Sequence, residues 1–143
     1  MKKGLFILLL IAILLPAHAQ ESGIRFFHGT WDEAMALAKK EKKKVFIDFF
    51  TEWCGPCLNM ALTVFPLPQV GEMYNKNFVC LKIDAEKGEG RELAKKYGIH
   101  SYPSYIFVNP KTQKLIHRSG GNKPAADFIA DAEGALDPKL SSV

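Results

Sequence analysis

This sequence predicts an α/β fold with a mixed central β-sheet and helices on both faces, and three observations carry the prediction. Two six-residue runs of strand formers, 45–50 (Val-Phe-Ile-Asp-Phe-Phe) and 78–83 (Phe-Val-Cys-Leu-Lys-Ile), are almost wholly apolar, the pattern of strands covered on both sides. Helically spaced segments alternate with these runs. Two further short stretches, 105–108 and 115–118, flank the turn cluster Asn109-Pro110-Lys111-Thr112 and read as a hairpin that precedes a last helix.

The chain has 143 residues, 48% hydrophobic and 24% charged, which suits one ordinary globular domain. Its first residues read as a secretory signal: Lys2 and Lys3 give a positive start, 4–15 an apolar run, and Ala17-His18-Ala19 small residues at the cleavage positions. A membrane span needs about 20 apolar residues, and this run stops short at Pro16. The expectation is a signal peptide over 1–19, a single domain over 20–143 beginning at about Gln20, and a periplasmic or secreted location. The formal charge of +4 includes Lys2 and Lys3, so the mature chain stands near +2. That bias is too weak to argue for nucleic acid or an anionic membrane surface.

Along the domain, Thr30-x-x-Glu33 has the pattern of a helix start, followed by Ala34, Met35, Leu37 and Ala38, and predicts a helix over 31–42. The lysine-rich stretch 39–44 falls at its C-terminal end, where positive charge suits the helix dipole. Residues 57–63 can be helical, Pro66 and Pro68 interrupt, and a shorter helix follows around 70–76. Residues 89–97 have helical spacing and stop at Gly98. After Gly120-Gly121, Asn122 can cap a helix that carries Pro124 in its first turn and runs to about 136.

Three cysteines are an odd number for a disulfide framework, and a close pair with one distant single suits a redox-active pair and a buried thiol. Cys54 follows an apolar strand and opens a predicted helix. The unpaired N–H groups and dipole of a helix N-terminus stabilise a thiolate, the reactive form, whose pKa in such motifs drops from about 8.5 to roughly 3.5–7.5. Cys54 is therefore the expected nucleophile. Cys57, one turn on, is placed to resolve the mixed disulfide, and Pro56 fixes a backbone dihedral inside the ring that the disulfide closes.

Trp53-Cys54-Gly55-Pro56-Cys57, preceded by the strand 45–50, resembles the active-site motif of the thioredoxin superfamily. Tyr97-Gly98-Ile99-His100-Ser101-Tyr102-Pro103, followed by the strand 105–108, is similar to the family's cis-proline loop. The resemblance covers nearly the whole mature chain and implies a thioredoxin-like fold and a thiol-disulfide oxidoreductase. It implies that Asp48 exchanges a proton with Cys57, with Lys82 beside it, and that Pro103 is cis. The backbone of Tyr102 would then pair with an extended substrate, and Trp53, Gly55, Pro56, Tyr102 and Pro103 would form the substrate surface. The residues agree that an acid in so apolar a run has its charged form disfavoured; a purely structural Asp48–Lys82 pair is the alternative.

Two departures bear on potential and partners. Leu58 stands where many thioredoxins have a lysine, and Tyr102 is larger than the usual residue before the cis-proline. No cofactor is expected. Structural zinc usually shows two close ligand pairs, and covalent haem needs a histidine where Leu58 stands, so neither is supported. The expected partners are protein thiols and disulfides, with a membrane thiol carrier as electron donor. A monomer is expected, with no metal and no nucleic acid. Cys80, in a strand, reads as a buried inert thiol. The reducing direction is favoured; an oxidising enzyme and a non-catalytic binding module are the alternatives.

Overall fold

The computed structural model describes residues 22–137 and 139, so the expected signal peptide lies outside the described residues. The first helix, α1 (Trp31–Glu41), starts as its sequence dictates. Thr30 Oγ1 accepts from Glu33 N at 3.3 Å, and the Glu33 carboxylate accepts from Thr30 N at 2.8 Å, completing a capping box. Lys42, with φ 55°, turns the chain out of the helix and into β1 (Lys44–Phe50).

Then come α2 (Gly55–Thr63), α3 (Pro68–Asn77), β2 (Phe78–Asp84), α4 (Gly90–Lys96), β3 (Ser104–Val108), β4 (Leu115–Gly120) and α5 (Ala125–Leu136). The sheet runs β2-β1-β3-β4; β1 is parallel to β2 and antiparallel to β3, and β4 closes the hairpin. This is the mixed sheet that the apolar runs and the turn cluster predict.

Because β1 is central and its side chains alternate, its residues divide between two cores. Val45, Ile47 and Phe49 face one core, with Ala34, Met35 and Ala38 of α1 and Leu93 and Ala94 of α4. Phe46 faces the other, with Met60, Val70, Tyr74 and Phe128. Stacked Tyr74 and Phe128 rings (4.5 Å between centroids) centre that second core, and the Tyr74 hydroxyl donates to the Phe128 carbonyl at 2.7 Å. Both faces of β1 are thus filled, which is why 45–50 is apolar except at Asp48.

Three local details differ from the sequence reading. Pro68 begins α3, with Leu67 at the N-cap, because a proline in the first turn lacks only an N–H that would have had no partner. Asn122 does not cap α5. Pro124 holds the N-cap position, and the Asn122 side chain accepts from Asn59 Nδ2 at 2.7 Å. The segment ahead of α1 also joins the sheet edge through a parallel bridge between Phe26 and Cys80. Gly71 permits that approach, since a Cβ there would lie 2.3 Å from the Gly23 carbonyl oxygen.

Phe128→Ala should lower stability by about 3–5 kcal/mol, as for other buried phenylalanines. Leu62→Ala, on an exposed side chain, should change it by under about 0.5 kcal/mol. Urea unfolding of the two variants checks the contrast.

Candidate active site

The parallel strands β1 and β2 end on one edge of the sheet, and the cysteine pair follows β1 there. Cys54 N donates to the Thr51 carbonyl at 3.2 Å, which tightens the three-residue connection. Cys54 takes the N-cap of α2, with φ −80° and ψ 103°. Its Sγ accepts from Cys57 N at 3.1 Å, and its carbonyl accepts from Leu58 N at 3.2 Å. A sulfur in this position stands where serine, threonine or aspartate oxygens cap helices, facing the positive end of the dipole. Pro56 falls in the same first turn, and open space surrounds the Cα of Gly55. Cys54 and Cys57 are joined in a disulfide (Cα–Cα 5.3 Å).

Asp48 and Lys82 are register partners across β1 and β2. Asp48 is fully buried; its Oδ2 accepts from Lys82 Nζ at 3.1 Å, and its Oδ1 has no hydrogen-bond partner. Desolvation raises the carboxyl from 3.8 to about 6, against the opposing pull of the Lys82 charge and hydrogen bond. Lys82 reaches this acid from a half-buried position among aromatic rings, with Nζ 4.5 Å from the Phe50 centroid and 5.5 Å from that of Phe65. It also lines a shallow apolar cleft with Trp53, Cys54, Gly55, Cys57 and Leu58. Lys82 therefore connects the buried acid to the cleft that holds the disulfide.

On the other side of the pair, Trp53 is 69% exposed and meets the Tyr102 ring edge-on at 5.8 Å between centroids. The Tyr102–Pro103 bond is cis, and the Pro103 carbonyl accepts from Gly121 N at 2.9 Å. The structure thus brings Cys54, Cys57, Trp53, Gly55, Pro56, Tyr102 and Pro103 to one edge, with Asp48 buried within β1 and joined to it through Lys82. Cys80 stays in the second core, where burial pushes its thiol well up.

Sequence reasoning misses the loop after β2. Trp53 Nε1 donates to both oxygens of the Glu86 carboxylate, at 3.2 and 3.1 Å, while Lys87 pairs with Glu52. The available signal was topological: two parallel strands end on one edge, so the acidic residues after Asp84 must lie beside those that follow Phe50.

A Thioredoxin-like family model matches residues 27–110. The chain is similar to the solution structure of a candidate disulphide-isomerase from Bacteroides thetaiotaomicron, at 39% identity and TM-score 0.73, covering 83% of this chain and 98% of that one. It is 37% identical over 101 residues to thioredoxin Y, chloroplastic, of Oryza sativa subsp. japonica, covering 71% of this chain and 56% of that protein. It is 30% identical over 101 residues to thiol:disulfide interchange protein DsbD 2 of Pseudomonas aeruginosa, covering 69% of this chain but only 17% of that protein.

Asp48 makes stability depend on pH. An acid whose native pKa is raised is still protonated in the folded chain at pH values where the unfolded chain has ionised. Stability contributed by Asp48 therefore falls as pH rises from about 4 to about 6 and is flat above that window. Two pKa units correspond to about 2–3 kcal/mol. Asp48→Asn should remove this component and unfold at higher urea than the parent at pH 7, the gap closing near pH 4. Paired urea titrations across pH 4–8 measure it.

Proposed function

The chain belongs to the thioredoxin-like family, and on that premise we propose that it reduces disulfides of exported protein substrates through Cys54 and Cys57. The observation that carries the reading is the Cys54 sulfur at the α2 N-cap, accepting the Cys57 N–H, with a raised acid linked through Lys82 to the same cleft. The similarity to a thiol:disulfide interchange protein and to a candidate disulphide-isomerase supports protein thiols and disulfides as the substrate class.

In the reduced chain the helix N-terminus favours the Cys54 thiolate. That thiolate attacks one sulfur of a substrate disulfide, forming a Cys54–substrate mixed disulfide and releasing the other substrate sulfur, which takes up a proton. Cys57 then gives its proton to Asp48, and the Cys57 thiolate attacks Cys54 Sγ. The mixed disulfide breaks, the second substrate sulfur leaves as a thiolate that takes up a proton from water, and the Cys54–Cys57 disulfide remains. Two electrons have passed to the substrate. The raised Asp48 pKa of about 6 suits this exchange near neutral pH, because an acid of ordinary strength would accept a thiol proton far less readily.

Trp53 and Tyr102 offer the aromatic surface beside the disulfide, and the Tyr102 backbone supplies the strand-pairing groups for an extended substrate. A second dithiol must return the electrons. Behind the signal peptide expected over 1–19, that donor is a membrane thiol carrier, since cytosolic reductases do not reach the compartment.

Insulin reduction by the parent and by Cys54→Ser tests the reading. Loss of at least about a hundredfold is expected on removing the nucleophile, whereas equal rates would make the chain a non-catalytic binding module. Cys57→Ala should accumulate mixed disulfides at Cys54. Equilibration with glutathione should give a potential near that of reducing thioredoxins, about −270 mV; a value near −120 mV would assign the oxidising direction instead.

A further inference from the structure

The lysines at the C-terminal end of α1 and just after it gather with one that is distant in sequence. Lys39, Lys42, Lys43 and Lys44, together with Lys111 from the β3–β4 turn, line one concavity of about 440 Å³ in which no carboxylate takes part. Two of the five have local tasks. Lys43 Nζ donates to the Asn75 carbonyl at 3.0 Å and pairs with Glu41 at 2.9 Å, and Lys44 Nζ donates to the Ala135 carbonyl at 2.6 Å. Lys39, Lys42 and Lys111 are exposed, and none has a side-chain partner among the described residues.

The topology sets this cluster against the redox edge. β1 begins at Lys44 and ends at Phe50, shortly before Cys54, and β3 runs back toward Lys111. The seven residues of β1 separate the two poles by roughly 20 Å. Glu52, Asp84 and Glu86 lie on the redox side, and α1 repeats the polarity, with Asp32 and Glu33 in its first turn and Lys39 and Lys40 in its last. The carboxylates of the redox side are partly neutralised by Lys82 and Lys87, whereas among the described residues the lysine concavity has only Glu41 paired beside it, so the cationic excess lies at the lysine end.

We propose that the lysine pole docks on a bilayer surface rich in anionic phospholipid, leaving the Cys54–Cys57 edge turned toward the aqueous side. The chemistry favours a membrane over a nucleic acid. Lysine ammoniums on flexible stems are point charges suited to a fluid array of headgroups, and juxtaposed lysines are attracted to anionic leaflets. The cluster presents no aromatic platform for bases and no arginine fork. Among the described residues the exposed large hydrophobic side chains are Trp53, Leu58 and Leu62, and none of them lines the lysine concavity. Attachment there is electrostatic and reversible by salt.

Sedimentation of the full chain with vesicles tests this. Vesicles of phosphatidylcholine alone are compared with vesicles carrying about one-third phosphatidylglycerol, at about 0.05 M and about 0.5 M salt. Lys2, Lys3 and the apolar run 4–15 are common to every variant, so the readout is the part of the anionic excess that differs between the parent and the substituted chains. At low salt, binding to the anionic vesicles should exceed binding to the neutral ones by about tenfold or more, and high salt should abolish the excess. K39E/K42E/K111E should lose the excess, while K39R/K42R/K111R should keep it, both with unchanged thermal melts. Arg91→Glu, away from the concavity, should leave it unaltered. The proposal is overturned if no anionic preference exists or if the charge-reversed variant retains it. Capture by duplex DNA or polyglutamate with vesicles left unbound would equally overturn it.

Discussion

A carboxylate in the middle of a strand that is covered on both faces must find a counter-charge or hold its proton, because burying an unpaired charge is prohibitive. Asp48 does some of each. Lys82, its neighbour across the β1–β2 register, supplies one hydrogen bond, and one carboxylate oxygen is left without a partner. The consequence is an acid raised to about 6 whose partner Lys82 also lines the cleft that holds the two cysteines. The acid constrains its surroundings in turn. β1 must stay central to keep it dry, β2 must pair in parallel to bring Lys82 alongside, and the rings of Phe50 and Phe65 must hold the Lys82 ammonium in place.

The same parallel pairing builds the rest of the edge. Strands that run together end together, so the connection bearing Trp53 and the loop bearing Glu86 emerge side by side and join through the indole N–H. β3 runs the opposite way and starts at this edge, which brings Tyr102 and the cis Pro103 to the far side of the disulfide. One sheet thus collects residues from three separate stretches of sequence around a single sulfur pair. Where β1 begins and β3 ends, it collects lysines by the same geometry.

Much of this is legible in the chain itself, and the reasons are local. The two apolar runs can only be buried strands, Thr30 and Glu33 complete a cap within four residues, and the cysteine pair at a helix start carries its own chemistry. Asp48 stands out because it interrupts an apolar run. The features that escape a sequence reading depend on contacts across long separations or on the local conformation downstream. Pro68 reads as a breaker until the helix after it is known, and Asn122 reads as a cap although its side chain is engaged with Asn59. Glu86 carries no pattern of its own, and its bond to Trp53 spans 33 residues. Lys39–Lys44 reads as a solvated helix end because Lys111 joins it only in three dimensions.

Asp48 is the point at which fold and chemistry meet, so the pH dependence of the resolving step tests the account most directly. A mixed disulfide preformed at Cys54 with a small thiol, released by Cys57 in single turnover, reports that step alone. In the parent chain the release rate should rise through an inflection near the Asp48 pKa of about 6. Asp48→Asn should lack this inflection and rise only as the Cys57 thiol itself ionises, near the ordinary thiol value of about 8.5. Superimposable profiles for the two proteins would contradict the account and leave Asp48 as half of a structural ion pair.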